Sequence, residues 1–126
     1  MVRFYADHPS LFEKDQSSLR AVRSHFARYG LLDSQVLFLQ GFFADTLPRT
    51  PIESIAVLRL DGDTYESTRS VLDMLYEKVS SGGYVIVDDY LTFPDCRRAV
   101  DGFRTEHGIT DAIAEIDENG VYWKKS

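Results

Sequence analysis

The sequence predicts a doubly wound α/β fold with a mostly parallel sheet. Three observations carry this. Helix-period and strand-type segments alternate along the chain. Two central runs, Ile55-Ala56-Val57-Leu58-Arg59-Leu60 and Tyr84-Val85-Ile86-Val87, are nearly all apolar, as parallel strands covered on both faces are. The segments at 112–116 and 121–123 flank Asn119-Gly120, a hairpin-turn dipeptide, and add an antiparallel edge. With 126 residues there is room for one compact domain and not for two.

Each element has its own signal. Ser17 and Ser18 cap a helix in which Leu19, Val22, His25, Phe26 and Tyr29 recur at three- and four-residue steps. Gly30 stops it in the left-handed conformation that commonly follows a helix. Val36-Leu37-Phe38-Leu39 is a strand, closed by Gln40-Gly41, and a polar, proline-bearing link fills 45–51. The strand at 55–60 stops at Asp61-Gly62-Asp63. Asp63 or Thr64 caps the next helix, whose apolar stripe is Val71, Leu72, Leu75 and Val79. Lys78 suits its negative end, and Gly82-Gly83 terminates it. The strand at 84–87 stops at Asp88-Asp89. Pro94-Asp95 opens the last helix, with Val100 and Phe103 inward, His107 in its last turn and Gly108 as its stop.

Composition narrows the partners. Lys and Arg number 14 against 20 acids, for a net charge of −6. That balance repels a phosphate backbone, so no nucleic-acid partner is expected. No apolar run approaches the roughly 18 residues that span a bilayer, and the first residues lack a signal peptide's apolar stretch, so no membrane partner is expected. Cys96, the one cysteine, has no internal disulfide partner, which fits a cytoplasmic protein. At a helix start its thiol has a route to a lowered pKa, but a small packed thiol is the preferred reading. His107 is read as a dipole-stabilised helix end rather than a catalytic group, and His25 as a boundary residue.

The sharpest local feature is the pair of acidic strand ends. In an open parallel sheet, ligands sit in the crevice beyond the carboxyl ends of the strands. The strands at 55–60 and 84–87 are joined by one helix and are expected to be neighbours about 5 Å apart. Asp61, Asp88 and Asp89 then converge. Carboxylates that close repel unless one is protonated or a cation lies between them. Oxygen-only ligands suit Mg²⁺, or failing that Mn²⁺ or Ca²⁺. The plain alternative is that these acids cap helices and solubilise the sheet edge, and position alone leaves both readings open. A receiver-domain reading of Val85-Ile86-Val87-Asp88-Asp89 fails on order, because too little chain follows Asp89. No phosphate-binding glycine loop, Ser-His-Asp set or zinc spacing is present.

The longer words are more specific. They are Phe26-Ala27-Arg28-Tyr29-Gly30-Leu31-Leu32, Gly41-Phe42-Phe43-Ala44-Asp45-Thr46-Leu47-Pro48, Leu58-Arg59-Leu60-Asp61-Gly62-Asp63-Thr64-Tyr65-Glu66-Ser67-Thr68 and Gly82-Gly83-Tyr84-Val85-Ile86-Val87-Asp88-Asp89-Tyr90. Through them the stretch from 22 to 123 resembles the macrocin O-methyltransferase family. These are class I S-adenosylmethionine-dependent enzymes that act on sugar hydroxyls of natural products. The resemblance implies an incomplete Rossmann-like three-layer sandwich, mostly parallel, with a C-terminal antiparallel hairpin. It implies that Asp61, Asp88 and Asp89 hold Mg²⁺, that Asp63 is the general base, and that Gly41, Phe42 and Asp61 border the S-adenosylmethionine. The partner it implies is a small-molecule, sugar-bearing acceptor. For Phe42 and Phe43, core packing is the plain alternative for at least one.

One departure bears on all of this. The family's cofactor site opens on a glycine-rich turn after its first strand, and the first glycine here is Gly30. The resemblance fades over 1–20, leaving 21–126 as the C-terminal part of a methyltransferase domain. A less favoured reading makes Phe4-Tyr5-Ala6-Asp7 a remnant of the family's second strand, with Asp7 as its ribose-holding acid. The expectation is a truncated form with poor cofactor affinity, and a homo-oligomer that covers the bare edge of the strand at 55–60. The alternative is a non-catalytic α/β module or decayed paralogue that retains a divalent-cation site.

Overall fold

The structure is a computed structural model, and it describes residues 2–5 and 18–126. Asp7, His8 and the cap candidate Ser17 lie outside the described residues. The chain divides into two compact units, Met1–Arg49 and Thr50–Ser126.

In the first unit, β1 (Val2–Tyr5) pairs in parallel with β2 (Leu37–Gln40), Val2 opposite Leu37. A strand therefore stands where the less favoured sequence reading put one. Between them α1 (Leu19–Arg28) starts on Ser18, whose hydroxyl accepts from the Ala21 amide at 3.2 Å. Gly30 follows at φ +66°, as a helix stop. Phe26 of α1 meets Phe38 of β2 edge-on, with centroids 5.3 Å apart. The expected polar link instead contains a short helix, α2 (Phe43–Thr46), and a 3₁₀ turn (Leu47–Arg49). The Phe42 carbonyl closes that turn, accepting from the Asp45 and Thr46 amides and from the Thr46 hydroxyl, all at 3.0 Å. Four residues are too few to leave a periodicity in the sequence.

The second unit holds a four-stranded sheet in the order β3-β4-β6-β5. Its elements are β3 (Ile55–Leu60), α3 (Tyr65–Leu75), β4 (Val79–Val87), α4 (Pro94–Glu106), β5 (Ala114–Glu115) and β6 (Val121–Lys124). The pair β3–β4 is parallel, and β6 runs antiparallel to both β4 and β5. This is the incomplete, mixed α/β sheet that the sequence predicts, with its antiparallel pair at the end. Leu58, Leu60, Val85, Val87, Val121 and Trp123 make up the buried face of the sheet, and α3 and α4 add Leu72, Leu75, Val100 and Phe103 to the core. The alternate positions are open: Val57 is 55% and Tyr84 39% exposed. The expectation of cover on both faces is thus met on one face only. The apolar content of β3 and β4 overstates the cover that these residues receive.

Three local corrections follow. Gly82-Gly83 does not end α3, which stops at Leu75 and passes through a 3₁₀ turn (Tyr76–Lys78). The two glycines lie inside β4, where the pairing with β3 shifts register between Ile55 and Val57. Gly82 takes φ +80°, and a Cβ on Gly83 would lie 2.8 Å from the Ser80 carbonyl oxygen and 2.9 Å from that of Ala56. Val79, assigned to the helix stripe, is the first residue of β4. The Asn119-Gly120 turn is also of another kind, since Gly120 is not in the left-handed region. Asp117 Oδ1 instead accepts from both the Asn119 and Gly120 amides at 2.8 Å, a side-chain-held loop.

Candidate functional site

The register of β3 and β4 sets Leu60 opposite Val87, so the two strands end side by side. The Asp88 amide donates to the Leu60 carbonyl at 3.0 Å, the last rung of the pair. Beyond it, Asp61, Asp63 and Asp89 each bring a carboxylate oxygen within 4.8 Å of the others. Asp61 and Asp63 are exposed and Asp89 is half-buried.

Asp89 is the most informative of the three. Its Oδ2 is buried and has no hydrogen-bond partner. Burial pushes its carboxyl up to about 6, and the negative charges of Asp63 and Asp61, contact with the Asp63 carboxyl and the charge of Asp88 add to the rise. A half-buried carboxylate beside two others, with one buried and unsatisfied oxygen, meets the requirement for a hard cation in chemistry and in donor type. The backbone holds Asp89 in place, because its carbonyl accepts from the Thr92 and Phe93 amides at 3.2 and 2.9 Å as the chain turns into α4. The loop after β5 closes on the same turn through Leu91 N–H to the Asn119 carbonyl, 2.9 Å, and Thr92 Oγ1 to Asn119 Oδ1, 2.7 Å.

Asp88 stands apart from the cluster. Its two carboxylate oxygens face the Arg59 guanidinium, with Nε at 3.1 and 3.0 Å and a further contact from NH2. Arg59 and Ile86 face each other across β3 and β4, on the side away from the buried Val85 and Val87. Asp88 thus pairs with Arg59 and lies outside the three-carboxylate group, where the sequence reading had placed it with Asp61 and Asp89.

The Asp61-Gly62-Asp63 turn is fastened to α3. Thr64 caps the helix, its hydroxyl accepting from the Ser67 amide at 3.1 Å. Thr68 Oγ1 donates to the Gly62 carbonyl at 2.7 Å. A Cβ at Gly62 would lie 3.2 Å from Ser67 Cβ, so the turn lies close on the helix. Thr68 was not singled out in the sequence, where a threonine among helix apolar positions reads as core. Cys96 is buried and burial pushes its thiol up, in line with the packed-thiol reading. His107 ends α4 with its ring on Phe103, centroids 4.0 Å apart, and Nδ1 2.9 Å from the Phe103 carbonyl.

Gly41 and Phe42 belong to the Met1–Arg49 unit. Gly41 takes φ +136°, and a Cβ there would lie 2.9 Å from Thr46 Cγ2, so the turn before α2 needs glycine. Phe42 is 44% exposed.

Comparison with known proteins gives this geometry a setting. The sequence profile of the Macrocin-O-methyltransferase (TylF) family matches residues 7–125. Mycinamicin III 3''-O-methyltransferase of Micromonospora griseorubida is 54% identical over 110 residues, which cover 87% of this chain and 43% of that enzyme. Demethyldecarbamoylnovobiocin O-methyltransferase of Streptomyces niveus is 56% identical over 105 residues, covering 83% of this chain and 40% of that enzyme. The solved structure of the O-methyltransferase NovP superposes with a TM-score of 0.87 at 44% identity, over 98% of this chain and 59% of that one. The chain therefore spans about two fifths of the length of the curated relatives it matches.

Proposed function

Because the chain belongs to the macrocin O-methyltransferase family, we propose that it takes part in methylation of a sugar hydroxyl on a natural product, with S-adenosylmethionine as donor and Mg²⁺ as the bound ion. The relatives' methylations of mycinamicin III and of demethyldecarbamoylnovobiocin support the reaction class. The observation that carries the reading is the unpartnered, buried Oδ2 of Asp89 among the carboxylates at two neighbouring strand ends.

The roles follow from what each group can do. When bound, S-adenosylmethionine supplies an electrophilic methyl group and the divalent cation lowers the pKa of a coordinated hydroxyl. Asp61 and Asp89 would hold the cation. Asp88 would join them only by giving up its pairing with Arg59 and turning toward Asp61 and Asp89. Asp63 then stays free of the cation and accepts the hydroxyl proton, since a coordinated carboxylate is a weak base. Gly41, Phe42 and Asp61 are the residues proposed for S-adenosylmethionine binding.

The test is calorimetric titration with Mg²⁺. Asp88→Asn is expected to lose the Mg²⁺ response, and Asp63→Asn to keep it while losing methyl transfer. The opposite pattern would make Asp63 a ligand, as its place in the carboxylate cluster allows, and would remove Asp88. A non-catalytic module with a cation site would respond to Mg²⁺ and stay silent to S-adenosylmethionine. Micromolar binding of S-adenosylmethionine to this chain would exclude it.

A further inference from the structure

We propose that Thr68 is a positioning residue for the acidic turn: its buried hydroxyl clamps Gly62 and so sets the spacing of Asp61 and Asp63 against Asp89. The proposal rests on the cation-site reading above for its consequence, but not for its geometry.

Three like charges within 4.8 Å repel. Asp61 and Asp63 are exposed and lie on a turn, so the repulsion would splay that turn unless something opposes it. Thr68 is placed to do so. Its side chain is 1% exposed, and its hydroxyl donates to the carbonyl of the one residue between the two acids, at 2.7 Å. A helical threonine ordinarily returns its hydroxyl to a carbonyl in its own preceding turn. Thr68 instead reaches six residues back, out of α3, and its own amide keeps the helical bond to the Thr64 carbonyl at 3.1 Å. The Thr64 hydroxyl, which also contacts Ser67 Oγ at 3.0 Å, fastens the other side of Asp63. Asp63 is held between two anchors, and of these only Thr68 also bounds Asp61.

The experiment compares the wild type with Thr68→Val, Thr68→Ala and Thr68→Ser. Two quantities are read: the Mg²⁺ dissociation constant by calorimetry, and the backbone order parameters of residues 61–63 by ¹⁵N relaxation. Val keeps the shape and loses the hydroxyl. Ala and Ser differ from each other only in the hydroxyl, so they decide the matter if Val does not fold. Val and Ala are expected to weaken Mg²⁺ binding about tenfold, the loss of one hydrogen bond to a held group. Their order parameters at 61–63 are expected to fall from about 0.85 toward about 0.6. Ser is expected to stay within about twofold of wild type in affinity and to keep the turn rigid. Wild-type order parameters in Val and Ala, or a Ser variant no better than Ala, would overturn the proposal. Absence of Mg²⁺ binding by the wild type would remove the cation reading, while the order parameters still decide the role of Thr68.

Discussion

Asp89 is the residue on which the electrostatics turn. An ordinary aspartate ionises near pH 4, and burial with two acidic neighbours raises this one to about 6. Between those values the folded, metal-free protein binds a proton that the unfolded chain has released. Stability from this group is therefore present below pH 4 and is lost as pH rises through about 6. Asp89→Asn removes the effect. Measured as thermal midpoint against pH without metal, the wild type is expected to fall relative to Asp89→Asn between pH 4 and 6 and to run parallel to it above pH 7. Curves parallel throughout would mean that Asp89 titrates normally. At this scale the sequence made Asp61 and Asp89 legible, because acids that end apolar strands stand out. It did not show the Arg59–Asp88 pair, which depends on which face each residue takes. Nor did it show Thr68, whose partner is a backbone carbonyl rather than a residue type.

Among the elements, β3, α3 and β4 were read where they lie, since long apolar runs and a capped, amphipathic helix leave strong periodic signals. Their boundaries were harder. Gly82 and Gly83 look like a helix stop, but the register shift against β3 and the approach of the Ala56 carbonyl are what require them. Only the three-dimensional pairing reveals that. The two helix-and-strand glycines predict opposite signs. Gly83→Ala drives a Cβ into two backbone oxygens and is expected to cost about 1–3 kcal/mol. Gly102, inside α4, has nothing within 4 Å of a new Cβ, so Gly102→Ala is expected to stabilise by about 0.5–1 kcal/mol. Denaturant midpoints of the two variants check this. Stabilisation by Gly83→Ala would contradict the assigned packing of β4.

At the scale of the whole chain, the comparison with relatives is one of length. The chain matches the family profile over 7–125 yet spans only 43% and 40% of two curated relatives. Its four-stranded sheet ends on β3, with Val57, Tyr84 and Tyr122 open on one face. An edge strand of that kind invites pairing with another chain, and we propose that two copies associate there. Light scattering behind size exclusion is expected to show a dimer, which Val57→Lys returns to monomer; a wild-type monomer would contradict it. No helix among the described residues is long and apolar enough to cross a membrane.

The claim beneath these proposals is that two neighbouring parallel strands deliver carboxylates around one divalent cation. Anomalous diffraction from a crystal grown with Mn²⁺ tests it most directly. The predicted result is one strong peak within coordination distance of Asp61 and Asp89 oxygens, about 2.0–2.3 Å. Saturating Mn²⁺ with no peak there, and the two aspartates still without a shared ligand, would contradict it.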